Sequence, residues 1–229
     1  MASKLPARQS SSQEIDRFLQ QSRSIAAFVA KQPRLLFAID ATASRQPTWD
    51  KASQVQHEMF QATAGVASLA VQLAYYRGFQ QFFASPWLTD SEQLARLMDA
   101  VQCEGGHTQI ARLLDHALLE HRKHEIRALV FIGDAMEESE DTLCDLAGRC
   151  GLFKLPLFLF QEGQHPVGEK TFRSMATLSG GAYAHFDSNS AGTLAALLGA
   201  VARYAAGGRA ALVNMAGDSA RLLLGQLKN

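Results

Sequence analysis

Short apolar runs recur along the chain, each bounded by turn chemistry. Leu35-Leu36-Phe37-Ala38-Ile39 runs into Asp40, and Ala128-Leu129-Val130-Phe131-Ile132-Gly133 runs into Asp134. Leu155 to Phe160 repeats the pattern, and Ala182 to Phe186 reads as a short final strand. Unbroken apolar runs of this length predict strands buried on both faces, as in parallel sheets. Between them the spacing turns helical. Ser91 to Val101 places Leu94, Leu97, Met98 and Val101 on one side, with Ser91 as a candidate cap. Ile110, Leu113, Leu114, Ala117 and Leu118 mark a second helix, and Leu143, Leu146 and Ala147 a third that ends near Gly151. A fourth spans Lys170 to Leu178 with Gly180-Gly181 as its C-cap, and a fifth spans Thr193 to Ala205 and stops at Gly207-Gly208. Trp49 to Thr63 reads as a further helix with Thr48 as its cap. Ala67–Tyr76 and Gln80–Leu88 flank Arg77-Gly78-Phe79 as a hairpin, and Pro86 suits an antiparallel edge strand.

This alternation predicts an α/β fold, a doubly wound and mostly parallel sheet with one antiparallel edge strand and helices on both faces. The expected organisation is a flexible tail over 1–13, an N-terminal helix over 14–32, the α/β domain over 33–206, and a C-terminal helical extension over 207–229. The extension is apolar enough to pack on the domain or to serve a partner.

Composition narrows the function. Hydrophobic residues make up 47% of the 229, which argues for a packed core, and no run is long enough to span a bilayer. Lys+Arg and Asp+Glu both total 22, so no net charge draws the chain to nucleic acid or an anionic membrane. Cys103, Cys144 and Cys150 are odd in number with no C-x-x-C spacing, which predicts reduced thiols. Met1 to Gln13 is polar with no apolar segment, so no secretory signal is expected and the predicted location is the cytoplasm.

The candidate chemistry sits where strands end. Asp40, Thr42 and Ser44 put three oxygen side chains in five residues on the loop leaving a strand's carboxyl end, where open α/β sheets bind ligands. Asp134 ends a second such strand, and Gly105-Gly106-His107-Thr108 precedes a helix. Oxygens alone suit a hard cation. An apolar strand ending in D-x-T-x-S, a distant G-G-x-T and a later strand ending in G-D resemble the von Willebrand factor A (VWA) domains, over roughly Pro33 to Ala206.

The resemblance implies that Asp40, Thr42, Ser44, Thr108 and Asp134 form a metal-ion-dependent adhesion site for Mg²⁺ or Mn²⁺. Thr42 and Ser44 would be direct ligands, Thr108 direct or through water, and the two aspartates would anchor waters. An acidic side chain of another protein would complete the coordination. Thr42 departs from the commoner serine by a methyl that stiffens χ1, and metal binding is expected to survive it. Arg45 and His107, beside the site, are candidate partner contacts, and Trp49 is either a contact or core. Cytoplasmic relatives commonly act as adaptors beside AAA+ ATPases in assembly or in metal and cofactor insertion.

Each residue has a plainer reading. Asp40 and Asp134 could cap the helices that follow, with the hydroxyls bonding locally. Three segments in the right order favour the site. Glu137, Glu138, Glu140 and Asp141 read as a solvated helix start. His116, His121 and His124 suit a helix C-terminus better than zinc. No phosphate-cradling glycine motif and no serine elbow is present. A Mg²⁺-dependent phosphatase using Asp40 would carry a second acid where Thr42 stands. The expected function is therefore a non-catalytic, Mg²⁺-dependent protein-interaction module. The alternatives are a structural scaffold with an idle metal site and, more remotely, the phosphatase.

Overall fold

The computed structural model describes residues 17, 19–20, 31–45, 69–187 and 191–227. Residues 33–229 form one compact unit and 1–32 another. Of the helix expected over 14–32, Arg17, Leu19, Gln20 and Lys31 are helical. The rest of it up to residue 30, the 1–13 tail, the helix expected over 49–63 and Trp49 lie outside the described residues.

Six strands build the sheet: β1 (Arg34–Asp40), β2 (Ala70–Arg77), β3 (Gln81–Ala84), β4 (Ala128–Gly133), β5 (Leu157–Glu162) and β6 (Ala182–Phe186). Their order is β3-β2-β1-β4-β5-β6. All neighbours run parallel except β3, which pairs antiparallel with β2 at the edge. The fold class is the one the apolar runs imply.

β1 is central because every residue in it is buried. Successive side chains of a strand leave opposite faces. Leu35, Phe37 and Ile39 accordingly enter one core and Leu36 and Ala38 the other. The first core is closed by α1 (Ser91–Asp99), α5 (Ala191–Val213) and α6 (Asp218–Leu224). The second is closed by α2 (Ile110–Lys123), α3 (Glu140–Leu152) and α4 (Pro166–Ser179).

Local departures have local causes. Asp90, not Ser91, caps α1, its carboxylate accepting from the Glu92 N–H at 2.8 Å. α4 begins a turn earlier than the apolar spacing suggests, with Pro166 at its first position and the His165 ring accepting from the Gly168 N–H. Gly180 ends that helix in the left-handed region, at φ 74°. The β2–β3 pairing breaks at Ser85-Pro86 and resumes as a single bridge between Val71 and Leu88. Gly208, at φ 68° and ψ −164°, interrupts the helical geometry of α5 where the glycine pair predicts a stop. Beyond it Leu212, Ala220, Leu223 and Leu227 are buried in the first core. No helix among the described residues is long and apolar enough to cross a membrane.

Candidate metal-binding site at the carboxyl edge of the sheet

β1 and β4 are adjacent and parallel, so Asp40 and Asp134 leave the sheet at the same edge although 94 positions separate them. The loop after β1 coils into one turn of 3₁₀ helix, Ala43–Arg45. The Thr42 N–H donates to Asp40 Oδ1 at 2.7 Å, an Asx-type turn that folds the loop back over the strand end. Ser44 Oγ donates to Asp134 Oδ2 at 2.9 Å, tying the two loops together. Thr42 Oγ1 lies 3.4 Å from Ser44 Oγ.

The third loop arrives by close backbone packing. A Cβ on Gly106 would lie 1.9 Å from the Gly78 carbonyl oxygen, so only glycine lets this loop lie flat against the β2–β3 turn. Thr108 is thereby set beside the other two loops. Thr42, Ser44, Gly106, Thr108, Asp134 and Glu137 are among the residues lining one cavity of about 210 Å³.

Of the five expected oxygen donors, four line this cavity. Asp40 lies behind it, fully buried, with Oδ2 accepting from the Tyr76 hydroxyl at 3.2 Å. Burial, then the charges of Asp40, Glu138 and Asp134, push the Tyr76 phenol well above its ordinary value, which keeps it a donor.

Reading Glu137 and Glu138 as a solvated helix start is corrected here. Their own helix begins at Glu140, and both reach across to the Thr108 loop. Gln109, at the cap position of α2, makes no side-chain cap bond. Glu138 takes that role from another loop, accepting from the Ile110 and Ala111 N–H groups and from the Thr108 hydroxyl. Glu137 accepts from the Thr108 N–H at 3.1 Å, and its own N–H donates to Thr108 Oγ1 at 2.9 Å. Gln161, fully buried on β5, donates to the Asp134 carbonyl at 3.2 Å and accepts from the Tyr183 hydroxyl. A glutamine inside an apolar strand was the available sequence signal for that brace. Tyr76 gave none, since an aromatic in a strand reads as core.

The two partner candidates differ in what can be said. Arg45 ends the 3₁₀ turn, and its side chain lies outside the described residues. His107 is exposed, with Nδ1 3.0 Å from Glu137 Oε2 and its ring edge-on to Phe79 at 5.5 Å. His116 and His121 have their partners elsewhere. His116 Nε2 sits 2.9 Å from Gln72 Oε1, and His121 accepts from the Ile126 N–H.

The donor set fits a hard cation. A hydroxyl has one hydrogen and two lone pairs. Ser44 gives its hydrogen to Asp134, and Thr108 gives its own to Glu138 while accepting from the Glu137 N–H, which leaves one Thr108 lone pair and those of Ser44 for the cavity. No group of three or more His, Cys, Asp or Glu side chains able to hold a metal occurs among the described residues. The residues lining the cavity instead offer hydroxyl and carboxylate oxygens, the donor type of hard cations.

Comparison of the sequence with protein-family models and with curated proteins finds no match. Solved structures do match. A von Willebrand factor type A protein from Catenulispora acidiphila superposes with a TM-score of 0.61 at 14% identity, over 77% of this chain and 43% of that one. The SpRpn10 VWA domain matches with a TM-score of 0.55 at 11% identity, over 69% of this chain and 90% of its own. The manganese-loaded TRAP protein of Plasmodium vivax gives 0.52 at 17% identity, over 71% of each chain. At these identities the likeness is one of fold. The chain has the von Willebrand factor A fold.

Proposed function

We propose that the chain is a non-catalytic protein-interaction module whose contact centre is a divalent cation, Mg²⁺ or Mn²⁺, held at the carboxyl edge of the sheet. One observation carries this reading: Thr42, Ser44, Thr108 and Asp134, from three separate loops, line one cavity. Thr42 and Ser44 would hold the ion directly, Thr108 directly or through water, and Asp134 and the buried Asp40 would set the charge around it. Bound mainly by neutral hydroxyls, the ion keeps enough positive charge to take a carboxylate from a partner protein. The manganese held by the TRAP structure supports a divalent ion in this fold. A cytoplasmic role beside an AAA+ ATPase, in assembly or in metal and cofactor insertion, is the finer reading and rests on the sequence resemblance alone.

Thermal denaturation in Mg²⁺, Mn²⁺ and EDTA tests the site. An ion at about one hundred times its Kd stabilises by about 2.7 kcal/mol, and for a domain of this size each kcal/mol is about 2–4 °C. The expected result is a rise of several degrees that vanishes in Asp134→Ala while the EDTA-state circular dichroism stays native. An equal rise in that variant, or none at millimolar ion, sinks the metal reading. Affinity capture from native lysate then separates the roles. Proteins held in Mg²⁺ and released by EDTA support the module, and the same proteins in both conditions favour the scaffold. Phosphoester turnover lost in Asp40→Asn would favour the phosphatase.

A further inference from the structure

Next to the cavity stands a residue that the chemistry above does not use. Phe79 is 73% exposed, the most exposed aromatic among the described residues. A single exposed apolar side chain is ordinary on a surface. This one is held in place. Its turn is joined to the Thr108 loop by the Gly78–Gly106 backbone contact. Arg77 Nη1 donates to the Gln102 carbonyl at 2.9 Å, and Arg112 Nη1 donates to the Gln80 carbonyl at 2.7 Å. Gly78, at φ 55°, sets the bend that presents the ring. Phe79 then touches His107 edge-on, and His107 is tied to Glu137, which lines the cavity. The sequence of groups from cavity to rim is thus oxygen donors, a carboxylate–imidazole pair, and an exposed phenyl ring.

We infer that Phe79, backed by His107, is a second contact point of the same interface and takes a large apolar side chain at a fixed offset from the partner's metal-seeking carboxylate. The inference rests on the cation reading above. Its added content is the specificity. A cation alone accepts any exposed Asp or Glu, whereas a ring anchored beside it selects acids with an apolar neighbour in one position. Aromatic anchors on rigid supports carry disproportionate binding energy because little conformational freedom is lost on contact. The occupant is therefore an acidic and apolar protein segment, not a purely acidic one. Glu137, exposed beside the cavity, disfavours a second acid there.

A phage-displayed library of random twelve-residue peptides, selected on the full chain in Mg²⁺ and eluted with EDTA, tests this. The expected pool carries Asp or Glu together with a Leu, Ile, Met, Phe, Tyr or Trp at one fixed offset. Selection on Phe79→Ala is expected to retain the acid and lose the fixed apolar position. A peptide from the first pool should bind that variant at least about tenfold more weakly, with Phe79→Leu restoring most of the affinity. The exposed ring makes the variant's fold safe, and an unchanged denaturation midpoint verifies it. An acid with no fixed apolar neighbour, or the same offset in the Phe79→Ala pool, overturns the subsite and leaves the cation reading standing. A pool without acids, or no peptide released by EDTA above background, overturns both.

Discussion

Replacing Glu138 by alanine removes a carboxylate that serves two loops at once. It caps α2 through the Ile110 and Ala111 N–H groups and accepts the Thr108 hydroxyl. A side-chain cap contributes about 1 kcal/mol. A negative charge at a helix N-terminus adds about 0.3–1 kcal/mol, and a hydrogen bond to a charged group about 1.5–3 kcal/mol. These contributions overlap, because one carboxylate makes all of them, so the expected loss for Glu138→Ala is about 2–3 kcal/mol. At about 2–4 °C per kcal/mol the midpoint should fall by roughly 4–12 °C. Glu138→Gln keeps an acceptor but not the charge and should lose about half as much. Both are read by urea and thermal denaturation in EDTA, so that no ion contributes. The same variants should weaken Mg²⁺ binding, because the Thr108 hydrogen loses the acceptor that turns the hydroxyl's remaining lone pair toward the cavity. A loss below about 0.5 kcal/mol in Glu138→Ala, the range of ordinary surface changes, would refute the cap. Unchanged Mg²⁺ affinity in a destabilised Glu138→Ala would refute the orienting role separately.

Three further outcomes follow from the packing. Gly106→Ala forces a methyl onto the Gly78 backbone and should cost about 1–3 kcal/mol, whereas a Cβ on Gly105 meets nothing within 4 Å and Gly105→Ala should be nearly silent in the same denaturation series. Burial holds the Cys150 thiol up at about 12, so in native protein at pH 8 it should resist a thiol reagent that labels denatured protein fully; rapid native labelling at Cys150 would contradict its position in the core. Burial lowers the His116 pKa against the raising charge of Glu120, so the unfolded chain binds this proton more readily. Stability should accordingly be lost as pH falls below about 6.5, the unfolded value. His116→Gln should flatten that acid limb, and an unchanged slope would show that other groups carry it.

The fold was readable because its strands are buried on both faces, and such strands announce themselves without help from tertiary context. Leu35–Ile39 and Ala128–Gly133 are of this kind. The oxygen donors were readable because loop residues at strand ends have few structural reasons to be Asp, Thr and Ser together. What escaped lies one layer behind. Tyr76 and Glu138 act through contacts 36 and 30 positions away, and nothing in their own neighbourhoods marks them. Glu138 in particular sits in an acidic run whose local meaning, a helix start, is true of Glu140 and Asp141 and false of Glu137 and Glu138. Ser91 lost the cap to Asp90 for a simpler reason: the two are adjacent and both are good caps.

The central place of β1 has a consequence during synthesis. One of its two neighbours, β4, begins at Ala128, almost ninety residues after β1 ends. A ribosome adding about 5–20 residues per second needs roughly 5–20 s to make that stretch. Throughout that interval Leu35–Ile39, uncharged and rich in apolar side chains, has an open edge toward the emerging chain. The β1 edge that β4 covers therefore has no partner from the sheet until residue 128 and those after it are made.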